Sequence, residues 1–194
     1  SDAAADMAEK CAQLLQKMQR DINCLADSNK LTRKKSLQNL QLDLLGSNAP
    51  NPEVLCSLFS GESKLGLAVL RCFADVSDRN RELAVEIVTE VVERAETVET
   101  LIPLLVPTFK MRLLSTSNNP HELVETTEEV RLAVVELCRK VMDKPGFDIR
   151  VCVDDILPIF ARLLMDPFAD VRKVACACVV SAVYPPAQAG TEPK

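Results

Sequence analysis

Apolar residues recur at three- and four-residue spacing along most of the chain, the pattern of amphipathic helices that bury one face. Met7, Cys11, Leu14, Leu15, Met18, Ile22 and Leu25 form one such stripe and predict a helix over residues 5–26. Residues 27–30 turn the chain. Thr32 is placed to cap a second helix carrying Leu37, Leu40 and Leu44, and Gly46 to close it. Residues 47–51, next to Pro52, read as a linker. A short helix over 52–60 breaks at Ser60-Gly61, and a second piece runs over 62–74. Residues 78–95 form the clearest amphipathic segment. Ala84, Ile87, Val88 and Val91 face one way, while Glu82, Glu86, Glu90 and Glu93 face the other.

Thr97 can cap the next helix, which runs to residue 114 and contains Pro103 and Pro107. A polar loop at 115–121 precedes a helix over 122–142, with Val130, Ala133, Val134, Leu137, Cys138 and Val141 on its apolar side. Lys144-Pro145-Gly146 separates it from a final pair. The first member of that pair carries Ile156, Ile159, Phe160, Leu163 and Leu164, with Pro158 inside it, where proline bends a helix. Asp166-Pro167 ends it. The second member starts near Ala169 and carries Val171, Val174, Ala175 and Cys178. From Val174 to Val183 only Ser181 is polar, so this helix should be covered on more than one side. Pro185-Pro186 stops it, and residues 187–194 read as disordered.

A repeat underlies these pairs. An acid precedes an arginine by six residues at Asp27/Arg33, Asp75/Arg81, Glu125/Arg131 and Asp166/Arg172, each time at the turn into the second helix. A proline in the first helix, an acid at the turn and a Val-Arg pair opening the second helix resemble the HEAT repeat. The expected fold is all-α: an α-solenoid of about four HEAT-like hairpins over 5–46, 52–95, 97–143 and 150–184, one continuous array. The four acid–arginine sets would form a ladder of hydrogen bonds between helices.

Residues 128–184 carry a closer resemblance. EEVRLAVVELC (Glu128 to Cys138) and DDILPIFARLLMDPFADVRKVACAC (Asp154 to Cys178) are similar to the amino-terminal region of the dynein axonemal assembly factor five family, which is built of HEAT repeats. RELAVEIV (Arg81 to Val88) and the Arg33-Lys34-Lys35 helix start extend it less specifically. The resemblance implies a cytoplasmic, non-catalytic scaffold in ciliated cells, without cofactor, whose partners are axonemal dynein chains, co-assembly factors and chaperones. It supplies no catalytic residue. The other reading is a HEAT adaptor in nuclear transport or on a phosphatase.

Composition narrows the function further. The 194 residues are 47% hydrophobic and 4% aromatic with no Trp, which suits helix-on-helix packing. The net charge of −5 argues against a nucleic-acid footprint. No apolar run approaches the roughly 20 residues of a membrane span. Phosphate-loop, dinucleotide and zinc-protease motifs are absent, and His121 reads as a loop residue. The eight cysteines, none in C-x-x-C spacing, read as buried reduced thiols rather than disulfides or metal ligands. Lys30, Arg33, Lys34 and Lys35 make a solvated basic helix start or a site for an acidic partner. Residues 75–100 hold eight acids against three bases. Glu82, Glu86, Glu90 and Glu93 fall within about 80° of one helix face. They form a solvated stripe or, on the expected concave side, a docking face for a basic partner segment. The apolar last helix suggests an amino-terminal fragment normally covered by a further repeat, with self-association through that helix as the substitute.

Overall fold

A computed structural model describes residues 2–61, 63–117, 119 and 122–184. Nine α-helices and no strand occur among them. They are α1 (Asp2–Cys24), α2 (Lys30–Leu45), α3 (Pro52–Leu58), α4 (Lys64–Arg71), α5 (Asp78–Arg94), α6 (Ile102–Leu113), α7 (Glu128–Met142), α8 (Val153–Leu163) and α9 (Ala169–Val183). Short 3-10 turns at Cys72–Ala74 and Ile149–Val151 lead into α5 and α8. The helices form two layers. In one, α1 packs on α3 and α4, α4 on α6, and α6 on α8; in the other, α2, α5, α7 and α9 pack in succession. The chain is an all-helical repeat solenoid.

The apolar stripes meet between the layers. Leu37, Leu40 and Leu44 of α2 are fully enclosed, as are Leu55, Leu65, Ile87, Val92, Leu137, Ile159 and Ala175 farther along the stack. No helix could hide these faces alone, so each layer needs the other. The second-layer helices are also closed at their C-termini by cations from neighbouring hairpins. Arg94 Nη2 donates to the Leu45 carbonyl at 3.0 Å. Lys144 Nζ donates to the Glu93 and Ala95 carbonyls at 2.7 Å each. Both answer helix-end carbonyls that lack an intrahelical partner. The Lys144 turn needs Gly146, whose φ of +81° is unfavourable for other residues, and a Cβ there would sit 2.8 Å from Glu99 Cγ.

Several boundaries differ from the sequence reading, each for a local reason. Asn29, not Thr32, caps α2, with its side chain accepting from the Leu31 amide. Gly46 does close α2 through its N–H to the Leu42 carbonyl, in an extended conformation. The piece expected over 62–74 starts at Lys64, capped by Ser63, and ends in the 3-10 turn. Residues 99–101 form a turn, and Thr97 does not cap α6, whose first turn carries Pro103. The helix expected over 122–142 begins only at Glu128. Residues 123–127 stay irregular and place the Glu125 side chain in the interior. His121, Pro185-Pro186 and the expected disordered segment 187–194 lie outside the described residues.

Among the described residues the last helix packs on α7 and α8. Val171, Ala175 and Cys178 are buried against α7 and α8, while Val180, Val183 and Tyr184 are exposed. Burial also separates the cysteines. All eight are free; Cys72, Cys138, Cys152 and Cys178 are buried, Cys11, Cys24 and Cys56 half-buried, and Cys176 exposed. Burial pushes the Cys72 thiol up to about 11 and that of Cys178 up to about 12. Desolvation likewise holds Cys138 well above the ordinary thiol range. Thiolate is the reacting form, so mildly alkaline labelling of the folded chain should modify Cys176 at least ~100-fold faster than Cys138 or Cys178. Peptide mapping after timed labelling checks the order, and equal rates would contradict the packing of α7 against α9.

Candidate functional site

Two features gather the charged residues: an arginine ladder inside the stack and an acidic groove on the second-helix layer. The ladder begins with a contact inside each turn. Arg33, Arg81, Arg131 and Arg172 each donate Nη1 to the backbone oxygen six residues back, on Asp27, Asp75, Glu125 and Asp166, at 2.8, 2.8, 2.9 and 2.6 Å. The six-residue spacing is thus the reach of a first-turn arginine back over its own turn. Each acid meanwhile folds its carboxylate over its own loop. Asp27, Asp75, Glu125 and Asp166 accept the amides of Asn29, Ser77, Thr127 and Phe168, two residues on.

The other edge of each guanidinium crosses to the next hairpin. Arg33 grips Asp75 with Nε at 2.5 Å and Nη2 at 2.8 Å. Arg131 grips Asp166 in the same fork, at 2.7 and 3.0 Å, with both side chains almost wholly enclosed. Arg131 also lies 5.3 Å from the centre of the Phe168 ring. In the middle rung Arg81 Nη2 donates to Glu125 Oε1 at 3.1 Å and to Thr127 Oγ1 at 2.9 Å. Its Nε lies 2.9 Å from Glu125 Oε2 but is misaligned for a hydrogen bond. Arg112 completes that rung with Nη2 2.5 Å from Glu125 Oε2. The carboxylates of Asp75, Glu125 and Asp166 are therefore held by the preceding hairpin's ladder arginine, joined at Glu125 by Arg112 of its own hairpin, while each hairpin's own ladder arginine takes the backbone oxygen.

Arg112 has no counterpart in the six-residue pattern, and nothing in the sequence marks it. Asn80 was also missed: fully buried on α5, it donates Nδ2 to the Lys30 carbonyl at 3.1 Å. Its neighbours Asp78, Arg79, Arg81 and Glu82 are all charged, so no apolar pattern marked it for burial. Arg162 is buried with Nη2 on the Glu122 carbonyl at 3.0 Å. Of the basic cluster, Lys30, Lys34 and Lys35 lie on the surface of α2 while Arg33 belongs to the ladder.

The ladder shifts the ionisation of its first rung. Burial pushes Asp75 upward, but the Arg33 guanidinium, the Ser77 amide and Asn80 outweigh it and hold the carboxyl below its ordinary range. Its partner Arg33 is raised, foremost by the hydrogen bond to Asp75.

The groove runs between α5 and α7, has a volume of about 440 Å³ and is floored by Val85, Ala133 and Leu137. Glu86, Glu90, Glu93 and Glu136 line it against one base, Lys140. Glu82 lies outside the lining and pairs with Arg79 at 2.8 Å. The stripe is not bare charge: Glu86 lies 3.5 Å from Arg79, Glu90 3.6 Å from Arg94, and Glu93 pairs with Lys140. Glu136, on α7, is exposed and was absent from the sequence reading. No group of side chains suited to hold a metal ion occurs among the described residues, and no helix there is long and apolar enough to cross a membrane.

Stacked helical hairpins with a polar groove along one layer define a helical-repeat protein. The chain belongs to the family described as dynein axonemal assembly factor 5-like, TPR repeats, whose profile matches residues 24–187. That description counts the hairpins as TPR units; the sequence reading likened them to HEAT units, and both are stacked helix pairs. The chain is 33% identical over 159 residues to dynein axonemal assembly factor 5 of Xenopus laevis, covering 82% of the chain and 18% of that protein. It is 30% identical over 181 residues to the Homo sapiens protein of that name, covering 91% and 20%, and 29% identical over 176 residues to the Mus musculus one. It thus spans about a fifth of the length of these relatives. No solved structure matches it.

Two outcomes follow from the ladder. Breaking the most deeply buried rung by Arg131→Met leaves the Asp166 carboxylate unpaired and should cost about 3–5 kcal/mol of unfolding free energy. Arg131→Met with Asp166→Leu should recover much of that loss, because it removes both charges. Urea melts of the three chains check this. For Asp75 the folded-state value is depressed. Its stabilisation is therefore full above the ordinary carboxylate range near pH ~4 and lost as pH falls through the lower folded value. Asp75→Asn should lower stability at neutral pH and flatten the acid limb of the stability curve; an unchanged limb would contradict the rung.

Proposed function

We propose that the chain is a non-catalytic interaction module for cytoplasmic pre-assembly of axonemal dynein arms in ciliated cells. The observation that carries this reading is the similarity of most of the chain to relatives named dynein axonemal assembly factor 5. The physical features favour it. The buried side chains are occupied by packing and by the ladder, which leaves surface, rather than an enclosed pocket, as the means of action. Four hairpin units over 5–46, 52–95, 97–143 and 150–184 are braced by Asp27, Arg33, Asp75, Arg81, Glu125, Arg131, Asp166 and Arg172. The partners are protein segments: dynein chains, co-assembly factors and chaperones. A basic segment fits the α5/α7 groove, where Glu86, Glu90, Glu93 and Glu136 offer carboxylates above an apolar floor.

Affinity capture from ciliated cells, with crosslinks mapped onto the chain, tests this. Dynein chains and assembly chaperones are expected, with crosslinks on α5 and α7. Recovery of nuclear-transport cargo or phosphatase subunits instead would replace the reading with the adaptor one. Glu86→Lys with Glu90→Lys should weaken capture roughly tenfold and reduce its sensitivity to salt, since the exposed charges act through screened attraction. Affinity at low ionic strength unchanged by the double substitution would remove the groove from the proposal.

A further inference from the structure

Enclosed cations and enclosed acids match along most of the stack, but not around residues 122–125. Arg33 meets Asp75 and Arg131 meets Asp166, one cation to one acid. Arg81 and Arg112, in contrast, share the single carboxylate of Glu125. Arg162 of α8 is only 9% exposed, yet it donates Nη2 to the Glu122 carbonyl at 3.0 Å and pairs with no acid among the described residues. Three guanidinium groups thus meet one enclosed carboxylate, an excess of two positive charges. The Nε atoms of these same three arginines are the buried side-chain polar atoms left without a hydrogen bond among the described residues. Enclosed polar atoms are otherwise paired, so orphans gathered at one place point to a missing partner.

No nearby acid neutralises the excess. The Glu122 carboxylate is exposed, takes the Ser115 hydroxyl at 2.6 Å and forms no ion pair among the described residues. Both oxygens of Asp166 are held by Arg131, and Asp155 pairs with Lys110. Positions 118, 120 and 121 of the adjoining loop are Asn, Pro and His, none of them an acid. The two cations in excess also lie close together. Arg112 and Arg162 each stand one residue before the end of their helix, in Arg-Leu-Leu runs, and α6 packs on α8. Arg112 holds Glu125 and Arg162 holds Glu122, three residues away, whose Cα atoms are at most about 11 Å apart. The Arg112 side chain is 12% exposed, so both guanidinium groups keep an edge at the surface.

We propose that the chain binds a phosphate group between the C-terminal ends of α6 and α8, held by Arg162 and Arg112. A buried charge without a counter-charge is costly, and a phosphate dianion carries the two negative charges that are missing. The planar guanidinium takes two phosphate oxygens at fixed geometry, which a lysine does not. The group is a free phosphate or a monoester carried on a larger molecule. The site is independent of the dynein reading, since it follows from the buried charges alone.

Titration of the 194-residue chain at mildly alkaline pH tests it, with inorganic phosphate as one probe and phenyl phosphate as the other. Each is compared with sodium chloride of equal ionic strength. The Nε–H signals of Arg112 and Arg162 in nitrogen–proton NMR spectra should move and saturate. The melting temperature should rise with the same probe, because a ligand that binds only the folded chain stabilises it. Saturation by inorganic phosphate supports a free anion; saturation by phenyl phosphate alone supports a monoester. Arg162→Met should weaken binding about tenfold or more by removing the charge and the fork. Arg162→Lys keeps the charge without the fork and should bind between the two. Should Arg162→Met fail to fold, the NMR titration of the unaltered chain decides. Signals that move no further with either probe than with chloride overturn the proposal. Binding by folded Arg162→Met as tight as that of the parent chain overturns it equally.

Discussion

A guanidinium taken out of water must be answered by a carboxylate and by carbonyl oxygens, and the stacking of this chain follows from that requirement. Arg131 and Asp166 are almost wholly enclosed, as is Glu125 between Arg81 and Arg112. Each charge alone would cost several kcal/mol to bury. Together they are tolerable only when successive hairpins sit in one register, because the arginine comes from one hairpin and the acid from the next. Apolar packing drives the helices together with little preference for how far one slides along another. The rungs add that preference: a displacement of one helical turn would leave a buried charge without its partner.

The irregular segments serve the same geometry. Asn29, Ser77, Thr127 and Phe168 each give an amide to the acid two residues before them, which holds the carboxylate over its own turn. The late start of α7 belongs to this arrangement. A helix running from residue 122 would carry Glu125 out of its loop, and the Arg81 and Arg112 contacts would be lost. The second-layer helices then lie at a spacing set by the rungs and by the lysine and arginine contacts at their ends. Between α5 and α7 that spacing leaves the acidic groove, so the shape of this surface depends on charges buried in the turns.

Membership of the dynein axonemal assembly factor 5-like family agrees with a chain whose polar chemistry is spent on shape. The acids of the groove are mostly balanced by bases at its edges, Arg79, Arg94 and Lys140.

The sequence by itself determined the helices and the phase of the repeat. Helical periodicity is a short-range property, so α1, α5 and α9 could be read from Met7 to Leu25, from Ala84 to Val91 and from Val171 to Cys178. The six-residue step from acid to arginine was legible for the same reason, because its physical basis is an arginine reaching its own turn. Only the tertiary structure decided which carboxylate each arginine holds, across 42, 44 and 35 residues of chain. It also decided that Arg112 joins Glu125, that residues 123–127 stay out of the helix, and that Glu136 rather than Glu82 lines the groove. These depend on how one hairpin seats on the next, and that seating is set by long-range shape and buried charge, which leave no periodic trace in the order of residues.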